Sequence, residues 1–207
     1  MDHFDLFGSP VRVSRLDGMD DINAEATARL VEEAAQTPGI VRSNEGGWHS
    51  VPDLTLRRAA PWPALMRRLA DEVDGVVKWL ARARGVAAQF DHGYGIQAWA
   101  MVLGDGGWVT PHDHAEAHFS GAYYLDAGEA PGDPAAQSGR ITFMSPHVGG
   151  AMIPGLDLFP STFSVRPQTG MLIVFPGYLP HYVHPYRGRR PRVCVSFNVR
   201  VQPRPRG

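Results

Sequence analysis

Between Asp20 and Ala35 the apolar residues Ile22, Ala26, Leu30 and Ala34 recur at a spacing of four. That spacing predicts an amphipathic helix over 20–35, with Asp20 or Asp21 as its cap and Thr37-Pro38-Gly39 as its end. A second stripe is longer. Leu65, Leu69, Val73, Val76, Val77 and Leu80 share one face, and Arg67, Arg68, Asp71, Glu72 and Lys78 mostly avoid it. Pro63 suits the first turn of such a helix and Gly85 its stop, so a long helix packed on something flat is expected.

After Gln89 the period shifts to two. From Tyr94 to Leu103, Ile96, Ala98, Ala100 and Val102 alternate with Gln97, Trp99, Met101 and Leu103. Phe119 to Leu125, Arg140 to Met144, Thr162 to Val165, Met171 to Phe175 and Arg192 to Val201 read as further strands. Val11-Arg12-Val13 is a short strand within a lead-in segment from Phe4 to Leu16. Ser43 to Ser50 reads as a polar glycine loop around Trp48, either a turn or a cover over a pocket. Ala127 to Ser138 is an acidic, Pro/Gly-rich surface loop, and Pro203 to Gly207 a frayed tail. Short strands with Gly/Pro turns point to a sandwich or barrel. The expected fold is mainly β with flanking helices. Residues 1–90 form a helical support region and 91–201 a β core, within one domain spanning 1–207.

Composition changes this picture little. A length of 207 residues fits one sizeable domain, and 43% hydrophobic with 20% charged residues is ordinary for a soluble protein. A formal net charge of −1 offers no field that would draw nucleic acid or an anionic membrane. Cys194 is the single cysteine, which excludes an intrachain disulfide and suits a reducing compartment. Met1 to Asp5 lacks the basic and apolar parts of a signal peptide, and the apolar run near Met171 to Phe175 is too short for a bilayer. A cytoplasmic protein is expected.

The candidate chemistry lies in Thr110-Pro111-His112-Asp113-His114. Two histidines two apart on an extended strand project to one side and can share a metal ion, if a third ligand comes from elsewhere. His-x-His alone is weak evidence in a chain with 9 histidines. A second segment strengthens it. Leu172 to Val174 runs through Phe175-Pro176-Gly177 into a turn, with His181 just beyond. In the last strand Val193, Val195, Phe197 and Val199 take one face, and Arg192, Cys194, Ser196 and Asn198 the other. A half-polar face opening with arginine suits a pocket that receives an acid, because the guanidinium fork can bond both carboxylate oxygens.

The order His112-x-His114, Ser120 to Leu125, Phe175-Pro176 with His181, then Arg192 before Ser196-Phe197-Asn198 resembles the 2-oxoglutarate/Fe(II)-dependent oxygenase superfamily. It is most similar to a bacterial and phage family of largely uncharacterised members, whose pattern Gly46-Gly47-Trp48 and Ile96 to Trp99 also resemble. The resemblance covers most of the chain, most strongly Ile96 to Asn198. It implies a double-stranded β-helix, a cupin-like jelly roll, with both helices packed on one sheet. It implies Fe(II) and 2-oxoglutarate as cofactors and O2 as co-substrate, with oxidative decarboxylation to succinate and carbon dioxide. The outcome would be hydroxylation of a small molecule or a peptide side chain. His112, His114 and His181 match the metal ligands. Arg192 and Tyr124 match the residues that hold the far carboxylate of 2-oxoglutarate, with Ser196 and Asn198 beside them.

His114 departs from the superfamily, which usually has Asp or Glu at that place. Asp113 is the neighbouring carboxylate and an alternative ligand, although the middle residue of an extended His-x-His should point away. His184 is an alternative distal ligand. His114 and His118 are four apart, but the Glu is misplaced for a zincin helix, so His118 reads as a rim residue. His49, His92 and His147 read as surface or structural, and Trp48, Trp99 and Trp108 as packing, one of them open to facing substrate. Halogenating relatives leave the carboxylate slot empty, whereas His114 fills it. Two rival classes remain: a three-histidine cupin-type dioxygenase that makes no succinate, and a non-catalytic metal-binding or ligand-binding jelly roll. Oligomeric state is open, a homodimer being one option.

Overall fold

The computed structural model describes residues 8–86, 91–133, 136–147 and 160–204. The lead-in residues before Gly8 and the tail beyond Arg204 fall outside that set. In chain order the elements are β1 (Arg12–Arg15), α1 (Asp20–Gln36), β2 (Asn44–His49), a 3-10 turn (Leu54–Leu56), α2 (Trp62–Ala83), β3 (His92–His112), β4 (Phe119–Asp126), β5 (Ile141–Met144), β6 (Thr162–Val165), β7 (Met171–Pro176), β8 (His181–Val183) and β9 (Arg192–Pro203).

All strands join one sheet in the order β1-β7-β4-β9-β3-β8-β5-β6, with β2 also paired to β3, and every pairing is antiparallel. The sheet curls through β3. Its first half pairs with β9 from His92↔Pro203 to Leu103↔Arg192, and its second half pairs with β8 at Val109↔Val183 and His112↔His181. Gly104, Gly106 and Gly107 lie between the halves. The two predicted strands around Leu103 and Thr110 are therefore one bent strand serving both walls of a jelly roll.

The period-two pattern sorts the walls as the sequence suggests. Ala98, Ala100, Val102, Val193, Val195, Phe197 and Val199 face outward to α1 and α2, where they meet Leu30, Leu65, Leu69 and Val73 in one cluster. Met101, Leu103, Tyr124, Ile141, Phe143, Phe175 and Cys194 face inward and form a second cluster inside the curl. Tyr123, on the outward side of β4, donates a hydrogen bond to Asn23 Oδ1 of α1 at 2.9 Å, tying helix to sheet.

Two expectations are corrected. Asn44 to His49 is a strand, with Glu45↔Trp108 on one side of a bulge and His49↔Met101 on the other. Glycine-rich polar composition hid it, because its stability comes from pairing rather than from propensity. The segment after His181 is also a strand, β8, bridging β3 and β5. The first 90 residues thus supply two strands as well as both helices.

Candidate metal centre

His112 closes β3, and its cross-strand partner is His181 at the start of β8. Their rings lie 4.4 Å apart. His114 follows two residues beyond the strand, its ring 4.9 Å from His112 and 5.4 Å from His181. One nitrogen from each of the three lies within 4.8 Å of the others. Backbone anchors hold this corner: His114 N–H donates to Gly177 O at 2.8 Å, and Gly177 N–H donates to His118 O at 3.2 Å. Gly177 is needed here, since a Cβ would lie 2.6 Å from His114 O and would strike Ala117 O.

Hydrogen bonds choose the free nitrogens. His112 Nδ1 faces Thr110 O at 2.8 Å, and His181 Nδ1 faces Leu179 O at 3.0 Å. A carbonyl only accepts, so both Nδ1 atoms carry the proton and both Nε2 lone pairs are left for a metal. His114 differs: its Nδ1 lies 3.5 Å from a side-chain group, Asn198 Nδ2, and no backbone carbonyl bonded to that nitrogen fixes its proton among the described residues.

Burial favours the neutral rings. It pushes His181 down to about 3 and His114 down to about 4, and also lowers His112; like-charge repulsion from His112 adds to the first two. His49 is likewise lowered by burial. Neutral imidazoles are what a divalent ion requires. The sign for stability follows. The unfolded chain takes up these protons near 6.5, the folded chain only below that. The metal-free protein should therefore lose stability progressively as pH falls below about 6.5, down to the folded-state values. Thermal melting across pH 4–8 measures this, and His181→Gln should flatten the profile.

The three imidazoles border a cavity of about 440 Å³ inside the curl. On the same cavity wall lie Arg192, Cys194, Ser196 and Asn198, the polar face of β9. Arg192 is only 2% exposed, and its guanidinium sits 4.8 Å over the Tyr124 ring. Arg192 Nε and Tyr124 Oη are both buried without a hydrogen-bond partner. Among the described residues no carboxylate pairs with Arg192. Burial pushes the Tyr124 phenol up to about 12, against the opposing pull of Arg192, so it stays protonated and able to donate. Orphaned donors around a buried cation fit an anion with several acceptor oxygens.

Of the single residues weighed beside these, Asp113 falls as expected, and His118 and Asn198 do not. Asp113 is exposed and accepts from Ala115 N–H at 3.2 Å, turned away from the cluster. His184 Nε2 bonds Thr142 Oγ1 at 3.0 Å, apart from the three rings. His118 is exposed and accepts from Val201 N–H at 3.1 Å; it does not line the cavity. Asn198 bonds Ser120 at 2.7 Å and faces His114. It stands six residues from Arg192, roughly 20 Å along an extended strand, and so lies with the histidines and not beside the guanidinium. Of the tryptophans, Trp99 borders the cavity, while Trp48 packs toward the helices with Nε1 donating to Thr37 Oγ1 at 3.1 Å.

His49 is the residue that sequence reasoning missed. It is buried, stacked on Trp99 at 5.7 Å with an interplanar angle of 8°, and Nδ1 lies 2.6 Å from Ser50 O. Pairing of β2 with β3 brings it to the cavity wall, so no signal within its own segment marked it. Arg42 and Gln97 lie on that wall too.

An imidazole cluster that could hold a metal ion and a buried arginine that could meet an acid share one cavity inside a jelly roll. Residues 97–198 match the family model described as "Putative 2OG-Fe(II) oxygenase". Over that stretch the chain is a 2-oxoglutarate/Fe(II)-dependent oxygenase, of a class of enzymes that use ferrous iron and 2-oxoglutarate. Solved structures agree on the fold. A Pseudomonas putida prolyl-4-hydroxylase is 17% identical, with a TM-score of 0.59 over 95% of each chain. HygX from Streptomyces hygroscopicus, with nickel and 2-oxoglutarate bound, is 12% identical with a TM-score of 0.61, over 92% of this chain and 82% of that one. A Trichoplax adhaerens prolyl hydroxylase, in complex with a hypoxia inducible factor oxygen degradation domain peptide fragment, is 11% identical. Its TM-score is 0.58, over 91% of this chain and 82% of that one. No curated protein matches the sequence.

Proposed function

We propose that His112, His114 and His181 hold the Fe(II), that Arg192 and Tyr124 hold the far carboxylate of 2-oxoglutarate, and that the substrate is a small molecule or one side chain of a peptide. The observation that carries this is the buried Arg192–Tyr124 pair, with Nε and Oη unsatisfied, on the same cavity as the three imidazoles. When bound, iron and 2-oxoglutarate supply oxidative decarboxylation and the oxidant that oxygenates a carbon. The protein supplies the rest. Arg192 and Tyr124 fix one end of the dicarboxylate, and the apolar wall of Met101, Ile141 and Phe175 keeps water from its middle. The neutral imidazoles keep their Nε2 lone pairs available.

Substrate enters past Arg42, Pro52, Gln97 and Trp99, and His49 Nε2 is an acceptor for a substrate donor, because Nδ1 bonds Ser50 O. A cavity of about 440 Å³ that also holds 2-oxoglutarate leaves room for a small group and not for a folded partner. A peptide-bound prolyl hydroxylase and a HygX with hygromycin B bound among the fold's neighbours keep both substrate classes on trial. The test incubates the protein with Fe(II), 2-oxoglutarate and O2 against a peptide library and a metabolite mixture. Succinate formed one-for-one with an oxygenated product identifies the class. Succinate at background with every candidate, together with no visible charge-transfer band on anaerobic addition of 2-oxoglutarate to the Fe(II) protein, overturns the residue assignment.

His114→Asp supplies a second check. It recreates the two-histidine, one-carboxylate set, so Fe(II) binding should persist within about tenfold of wild type. Loss of binding in both His114→Asp and Asp113→Ala would instead make Asp113 the ligand.

A further inference from the structure

His112 and His181 have their Nδ1 protons fixed by backbone carbonyls, whereas the partner of His114 is a side chain. Asn198 and Ser120 are cross-strand partners on β9 and β4, with Ser120 Oγ 2.7 Å from Asn198 Oδ1 and Asn198 Nδ2 3.5 Å from His114 Nδ1. Ser120 is 1% exposed, so this amide is held on a buried support. With Nδ2 toward His114, Nδ2–H would donate to Nδ1, which would put the ring proton on Nε2 and block that nitrogen as a ligand. The reverse orientation is nearly identical in shape. There Oδ1 accepts from His114 Nδ1–H, and Nδ2–H donates to Ser120 Oγ, which can accept as readily as donate.

We propose that Ser120 and Asn198 form a positioning relay that turns the amide oxygen toward His114 and fixes the tautomer in which its Nε2 serves as third metal ligand. The proposal rests on the reading of His114 as a ligand. It explains why a neutral ring works where a carboxylate is usual. The imidazole needs an acceptor behind it to orient it and strengthen its lone pair, and no backbone carbonyl is bonded to His114 Nδ1 among the described residues. Asn198 acts through His114 and does not itself touch the metal.

The test is anaerobic Fe(II) titration against a competing chelator, with Co(II) absorption as a second readout, on the full chain. Asn198→Leu should weaken Fe(II) binding about 10- to 100-fold, the range for losing such a partner. Ser120→Ala should weaken it less. Asn198→Asp offers only oxygen acceptors, so it should bind Fe(II) at least as tightly as wild type and shift the Co(II) bands. A folded Asn198→Leu protein with Fe(II) affinity within about twofold of wild type overturns the relay. Should Asn198→Leu not fold, Asn198→Asp decides alone: affinity equal to or above wild type supports the relay, and anything weaker overturns it. His114→Ala separates the two levels. If it leaves Fe(II) affinity unchanged, the ligand reading fails; if it abolishes binding while Asn198 variants do nothing, only the relay fails.

Discussion

His181→Ala should leave the protein folded and unable to hold Fe(II). His181 is 5% exposed and is the one proposed ligand that neither lies in the His-x-His pair nor shares its strand. Losing even an outer partner of a ligand costs about 10- to 100-fold in metal affinity, so losing a ligand itself should cost more than 100-fold. The stability cost is smaller. The Nδ1 bond to Leu179 O disappears and leaves a buried acceptor, a loss of about 1–3 kcal/mol. Part of this returns at low pH, because a ring that resists protonation has been removed. Chelator competition gives the affinity, and circular dichroism with melting gives the fold. Full Fe(II) binding in His181→Ala, with loss in His184→Ala, would transfer the role to His184 despite its bond to Thr142.

Arg192→Met should weaken 2-oxoglutarate binding by about 2 kcal/mol or more, roughly 30-fold, with Fe(II) affinity nearly unchanged. The guanidinium is buried over the Tyr124 ring with Nε unpartnered, so its charge is costly until a carboxylate arrives. A second sign follows from the same cost. Without 2-oxoglutarate, Arg192→Met should melt at or above the wild-type temperature, because an unpaired buried charge gives way to an apolar side chain. With saturating 2-oxoglutarate the order should reverse. Paired titration, Fe(II) first and 2-oxoglutarate second, checks the affinity. Wild-type 2-oxoglutarate affinity in Arg192→Met would show that the cosubstrate is held elsewhere in the cavity.

Much of this was legible in the amino-acid order. Helices over 20–36 and 62–83 follow from stripes at spacings of three and four, and their ends from Pro38, Pro63 and Gly85. The two faces of β9 separate by alternation alone, so the polar row from Arg192 to Asn198 marked a pocket before any fold was drawn. His112, His114 and His181 stood out as candidates by residue type and by the breaks around them, and the folded chain brings the three rings together.

Tertiary structure decided what depends on pairing between distant segments. β2 and β8 are strands because β3 lies beside them, and nothing in Gly46-Gly47 or in three residues after a turn would hold an extended shape alone. The same pairing carried His49 to the cavity wall and set it on Trp99. Asn198 belongs with His114 because β4 places Ser120 across from it, a relation between residues 78 positions apart. Periodicity reports which face a side chain takes, since that is fixed by the local backbone. Which side chain it meets on that face is set by how the sheet curls, and only the folded chain determines that.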